Sequence, residues 1–152
     1  EGQGWEQVTA WLGYVRSVPG RLCSSVVLLD QWLALVRSEA APRAESIKLA
    51  GQILTRLAPL RALSVAVQEN LVQGQSPIVE AALVKDQGTV LEQFIPAAIA
   101  DDLMAREGEG AAVPHALLLT LNYLTLVSPC YTLRGGTRSI LRGMIARGLG
   151  LR

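Results

Sequence analysis

Residues 74–110, GQSPIVEAALVKDQGTVLEQFIPAAIADDLMAREGEG, set the class of the fold. Gly74 to Pro77 reads as the stop of one helix and the start of the next, with Ser76 as N-cap and Pro77 at the first helical position, where no N–H is needed. Beyond it Ala81, Val84, Leu91, Phe94, Ile95 and Leu103 recur at steps that sum to helical turns, and the run closes before Glu107-Gly108-Glu109-Gly110. Pro96 predicts a local kink.

The same period extends in both directions. Upstream, Ile47, Ala50, Leu54, Leu57, Arg61, Val65 and Leu71 mark a helix after the Ala40–Pro42 break, with a kink expected at Pro59. Before that, Val8, Trp11, Leu12, Val15, Leu22, Val26, Leu29, Leu33 and Val36 define the inner face of a first helix from about Gly4 to Ser38, bent at Pro19-Gly20. Downstream, no charged side chain occurs between Glu109 and Arg134; Ala116 to Val127 lies between Pro114 and Pro129. A twelve-residue helix rises only ~18 Å against a ~30 Å hydrocarbon core, so this stretch predicts a buried helix and no membrane span. The expected fold is all-α: an antiparallel four-helix bundle with a short C-terminal helix after a Gly-Gly-Thr turn, one domain over residues 1–152, without internal repeats.

Composition agrees with a globular domain. The chain has 152 residues, half of them hydrophobic but only 5% aromatic, so its apolar content is mainly Ala, Leu, Val and Ile. That exceeds what a small domain readily hides and predicts a partner surface. A formal net charge of +1 argues against a polyanion binder. From Tyr131 onward, however, there are five arginines (Arg134, Arg138, Arg142, Arg147, Arg152) and no acid. With only Tyr131 near this basic row, nucleic-acid readout is disfavoured.

Two cysteines, Cys23 and Cys130, are too few for a disulfide framework or thiolate metal site, and His115 is the only histidine. Reduced, buried cysteines, no metal and a cytoplasmic location are the expectation. The opening Glu1 has neither a charged n-region nor an apolar h-region after it, and reads as internal to a longer polypeptide.

Residues 127–151, VSPCYTLRGGTRSILRGMIARGLGL, carry the chemical signal. Gly135-Gly136 permits a turn closed to other residues, and Thr137 is placed to cap a helix from Arg138 to about Arg147, ended by Gly148. Such a turn presents unpaired N–H groups and the positive helix end to an anion, with Arg134, Arg138 and Arg142 nearby. The alternative is a simple loop and cap.

This segment resembles the C-terminal signature of the acyl-CoA dehydrogenase family in the order and spacing of Ser128, Tyr131, Thr132, Gly135, Gly136, Thr137, Ile140, Arg142, Ile145, Ala146, Leu149, Gly150 and Leu151. At the other end, Glu1-Gly2-Gln3-Gly4-Trp5 followed by Arg16 is similar to that family's entry into its helical C-terminal domain. The resemblance implies a flavoprotein, using FAD, that oxidises an acyl-CoA thioester to the 2-enoyl-CoA, a Glu taking the α-proton while hydride leaves for the flavin. It implies N-terminal and β domains in the same or a partner chain, a homo- or hetero-oligomer (dimer or tetramer), and a fragment or small subunit here. Gly135, Gly136 and Thr137 would then contact the flavin, against a purely capping role. The Gly135 N–H would remain a donor for the thioester carbonyl. Arg16 would lie beside acyl-CoA, against a surface arginine with a carboxylate partner.

The pattern also breaks. The family's two base positions fall on Gly135 and Val15, neither of which takes a proton. Glu6 lies about 180° around the helix from Val15, and Asp30 is ~22 Å along the axis. The arginine-x-x-phenylalanine-glycine motif is replaced by Val36-Arg37-Ser38-Glu39-Ala40-Ala41-Pro42, the glutamine- and glycine-rich loop by Leu117 to Val127, and the signature Glu by Ser139. No catalytic residue is therefore assigned. A non-catalytic helical subunit that stabilises an active homologue is the alternative. The arginine row is expected to be solvated or subunit-facing, or else to touch phosphate, and Trp5, Trp11 and Trp32 to be core or interface anchors.

Overall fold

The computed structural model describes residues 2–17 and 23–151. Among the described residues six α-helices follow in order: α1 (Gly4–Ser17), α2 (Val26–Ser38), α3 (Ala44–Val72), α4 (Ile78–Gly108), α5 (His115–Val127) and α6 (Arg138–Gly148), with a 3-10 turn over Ser128–Thr132. No strand occurs among the described residues.

Polar contacts fix the direction of each helix. Ser25 Oγ donates to the Glu92 carbonyl (2.8 Å) and Trp32 Nε1 to Asp102 Oδ2 (2.8 Å), so α2 and α4 ascend together. Ser46 meets Asp102, and Arg56 stacks 4.2 Å from the Phe94 ring centre, so α3 descends against α4. After the 109–114 connection α5 returns along α4, bringing Ser128 to Gln93, whose Nε2 donates to the Ser128 carbonyl (3.0 Å). Helices α2 to α5 thus form an antiparallel up-down bundle. Helix α4 touches each of the other five helices.

The core is aliphatic around one tryptophan: Leu28, Trp32, Ile53, Val84, Ile95 and Ile99 have no solvent exposure. Of the inner face predicted for α4, Ala81, Val84, Leu91, Ile95 and Leu103 are buried, and Phe94 is partly buried at its edge. Pro59 and Pro96 lie inside unbroken helices.

Several expectations are corrected. The single first helix is two: α1 ends at Ser17 and α2 begins at Val26, with Cys23–Ser25 non-helical because Ser24 and Ser25 bond to Glu92 instead of continuing a helix. The Pro19-Gly20 bend falls outside the described residues. Without the first half bound into a continuous rod, its supposed inner face turns: Trp11 is 62% exposed, whereas Trp32 is core. Ile47, Leu54 and Val65 of α3 are also exposed. The cap of α4 is Pro77, with no side-chain hydrogen bond, so Ser76 does not fill that role. Helix α5 is only half buried: Leu117, Leu121 and Leu124 face inward while Leu119, Tyr123 and Leu126 face out. Cys23 and Cys130 are free thiols, and both are exposed because they sit in turns. Among the described residues, no helix is long and apolar enough to cross a membrane.

At the end of the bundle near the α2–α3 connection, a buried polar network ties three helices. Asp102 accepts from Trp32 Nε1, from Ser46 Oγ (2.7 Å), from Arg106 Nε (2.7 Å) and from Arg43 (3.2 Å). Arg106 also donates to Ser46 Oγ (2.8 Å) and pairs with Glu39. Burial pushes the Asp102 carboxyl up, but its bonds from Ser46, Arg106 and Trp32 outweigh that and hold it below the usual carboxylate range.

Candidate functional site at the Gly-Gly turn

The second polar centre lies where the chain's two ends meet, on the N-terminal half of α4. Gly135 (φ +73°) and Gly136 (φ +117°) both occupy backbone space closed to side-chain-bearing residues, turning the chain from the 3-10 segment into α6. Thr137 caps α6 as its sequence predicts, its hydroxyl accepting from the Ile140 N–H at 3.5 Å. At the far end of α6, Gly148 lies so close to α4 that an added Cβ would collide with Val79. The glycine there lets the two helices approach.

Arg16 reaches this turn from α1. Its Nε donates to the Gly135 carbonyl at 2.7 Å, across 119 positions of sequence. The side chain is only 5% exposed, so it is not a surface arginine, and no carboxylate pairs with it among the described residues. Burial pulls its guanidinium below the ordinary arginine value. A Cβ on Gly135 would point inward, 3.4 Å from Arg16 Cγ and 3.8 Å from Lys85 Cε; one on Gly136 would lie 3.6 Å from Arg16 Nη2 and from Leu141. The sequence-selected residues Arg16, Gly135, Gly136 and Thr137 are thus brought together.

Lys85 and two acids of α4 were not singled out by sequence, yet they organise the site. Lys85, 1% exposed, donates to Thr89 Oγ1 and to the Tyr131 carbonyl (2.9 Å), fixing the segment that leads into the turn. Glu92, fully buried, accepts from Arg134 Nη2 (3.1 Å) and from the Ser24 N–H (3.2 Å). Arg134 in turn lies 4.3 Å over the Tyr131 ring. Asp86, 3% exposed, pairs with Arg138 at 2.8 Å and with Arg142 at 3.6 Å. The signal available in the sequence was the presence of acids within the apolar stripe of α4, each needing a cation to be buried.

This corrects the arginine row. Arg134, Arg138 and Arg142 are neither a free phosphate cluster nor a wholly solvated face; they neutralise Glu92 and Asp86 and so fasten the tail onto α4. Tyr131 feels one of these acids: burial and then Glu92 push its phenol above the usual tyrosine value. Val15 is half-buried and Gly135 has no side chain, so neither supplies a carboxylate, while Glu92 and Asp86 are committed to ion pairs. Chemically the turn can donate hydrogen bonds and hold negative charge; its own residues offer no proton acceptor of carboxylate type. No three His, Cys, Asp or Glu side chains converge on a metal-sized site among the described residues. Compared with models of known protein families, with curated proteins and with solved structures, the chain matches none.

Proposed function

We propose that this chain is the C-terminal helical bundle of an acyl-CoA dehydrogenase-like flavoprotein. In this reading Gly135, Gly136 and Thr137 form a flavin-side edge, Arg16 lies on the acyl-CoA side, and N-terminal and β domains of the same or a partner chain complete the site. The observation that carries the reading is the Arg16–Gly135 bond, which joins the two stretches of sequence that resemble the family. The bundle of four antiparallel helices and the capped α6 agree with it.

When bound, FAD would supply the hydride acceptor. The chain's own residues would orient and donate: the backbone of the turn toward a carbonyl, the Thr137 hydroxyl toward the ring, and Arg16 as the support that holds the turn. They would not remove the α-proton. A cytoplasmic dimer or tetramer completes the proposal.

A second reading, a non-catalytic helical subunit of a heteromeric enzyme, is favoured by the ion-paired state of Asp86 and Glu92 and by the uncharged outer face of α5, where Leu119, Tyr123 and Leu126 are 57–79% exposed. The test is to purify the chain alone and co-expressed with an acyl-CoA dehydrogenase homologue. Flavin absorbance and CoA-thioester turnover dependent on the partner's Glu support the family reading. Material that carries no flavin in either preparation and neither binds nor stabilises the homologue refutes both.

A further inference from the structure

We propose that the outer face of α3 is a self-association surface, on which a second copy of this chain packs antiparallel about a two-fold axis beside residues 59–60. The inference goes beyond the flavoprotein reading by naming that face. It needs neither flavin nor added domains, so its failure would leave the flavin-side turn untouched.

Helix α3 is apolar on two sides. One line, through Ile53, Leu60, Val67 and Leu71, faces the core. At 100° per residue a second line, through Ile47, Leu54, Val65 and Val72, runs roughly opposite, and these four side chains are 43–88% exposed. Along it Gly51, Ala58 and Ala62 are exposed as well, and a Cβ added at Gly51 would meet nothing within 4 Å. A helix that is apolar on both sides is normally covered on both. Steps of three, four and seven residues are those of a coiled-coil seam, and the small residues let a second helix come close.

Register, shape and charge select a second copy as the occupant. Laid antiparallel on itself, the line sets Ile47 against Val72 and Leu54 against Val65 of the second copy, and the mirror pairs follow by symmetry. Ala58 and Ala62 then meet near the axis, so every large side chain of the line faces another. Val65, Gln68, Glu69 and Val72 line a surface hollow of about 430 Å³, and the same register brings Ile47 of the second copy over it. Lys48 and Glu69 flank the two ends of the line. Across the interface they stand two residues apart in register, ~3 Å along the axis, so that the opposite charges meet twice. The outer face of α5 offers no such match, since no charged side chain occurs between Glu109 and Arg134.

The size of the contact sets its strength. From Ile47 to Val72 the seam is ~38 Å long, and a helix diameter of ~10 Å gives roughly 400 Å² per copy. A standard interface covers about 800 Å² per partner, so contact through α3 alone makes a weak, reversible dimer. Arg61 opposes it: on the edge of the line, it lies ~4.5 Å along the axis from Arg61 of the second copy.

Sedimentation velocity of the chain is recorded from about 10 to about 500 µM at neutral pH. The expected result is a monomer–dimer equilibrium with a dissociation constant on the order of 100 µM. Leu54→Glu should raise that constant by about tenfold or more, whereas Met104→Glu, at a 70% exposed position of α4, leaves it unchanged. Lys48→Glu should raise it about threefold, and adding Glu69→Lys should restore it, because the two charges trade places across the interface. Arg61→Ala should tighten the dimer, a gain that reads the register even where Leu54→Glu fails to fold. A chain that stays monomeric to about 500 µM overturns the proposal. So does a dimer indifferent to a folded Leu54→Glu variant, one broken equally by Met104→Glu, or a charge swap that does not restore association.

Discussion

Replacing Asp102 by Ala tests whether the bundle is held at one end by a buried charge network. The carboxylate is 7% exposed and is the shared acceptor for Trp32 Nε1, Ser46 Oγ, Arg43 and Arg106 Nε. Its removal leaves an indole N–H on a fully buried ring without an acceptor, which costs about 1–3 kcal/mol. It also leaves Arg106, 1% exposed, with Glu39 as its remaining carboxylate; breaking one side of a buried pair costs about 3–5 kcal/mol. The two losses share atoms and do not add fully, so about 3–5 kcal/mol is the expected total. With a urea slope near 2 kcal/mol/M, the midpoint should fall by about 1.5–2.5 M. Asp102→Asn, which keeps one acceptor oxygen, should fall between that variant and the parent chain. Acid gives an independent reading. Because the folded-state carboxyl lies below its unfolded value, its contribution is complete above about pH 4 and is lost as pH falls toward the folded value; the Asn variant should lack that part of the acid slope. An Ala variant whose urea midpoint drops by less than about 0.5 M would refute the reasoning.

Other outcomes follow from single contacts. Gly148→Ala should destabilise by about 1–2 kcal/mol, overpacking against Val79 exceeding the gain in helix propensity, whereas in a Val79→Ala background the same change should be neutral or stabilising; urea titration of the four-member cycle reads the sign. Gly135→Ala should cost about 1–2 kcal/mol because of the +73° backbone, and Gly135→Glu should fail to create acyl-CoA oxidation in any assembly, since the same strain must be met and its carboxylate would point inward toward Arg16 and Lys85. In a spectrophotometric titration near 295 nm, Tyr131 should ionise above the ordinary tyrosine value of about 10, and Glu92→Gln should bring it down; an unmoved titration would disconnect the two. Stability tied to the neutral Tyr131 phenol is complete below about pH 10 and declines as pH rises through the folded value.

Helical period, proline positions and glycine stops were enough to place α3, α4 and α6 nearly to the residue, because each of these helices has a long apolar stripe or a strong cap. The first helix was misread for a physical reason: apolar spacing stays in phase across residues 18–25, and periodicity alone does not reveal that Ser24 and Ser25 bond to Glu92. Nor does it tell a core tryptophan from an exposed one, so Trp11 and Trp32 looked alike. At the Gly-Gly turn the backbone chemistry was legible and the partners were not. Thr137 announces its own cap three residues ahead, whereas Asp86 and Glu92 acquire their roles only when α6 and the turn before it are laid on α4. The arginine row consequently reads from sequence as solvated or subunit-facing, where in the structure its cations serve internal carboxylates.

The anchoring of the tail has a consequence for synthesis on the ribosome. Asp86 and Glu92 leave the exit tunnel well before Arg134, Arg138 and Arg142, the cations that allow them to be buried. Until those last arginines emerge, the two acidic groups on α4 lack the cations that pair with them in the folded chain. A message truncated after α5 would therefore yield a chain in which Asp86 and Glu92 have lost the arginines that neutralise them, so that burying that face of α4 would cost the desolvation of two unpaired carboxylates.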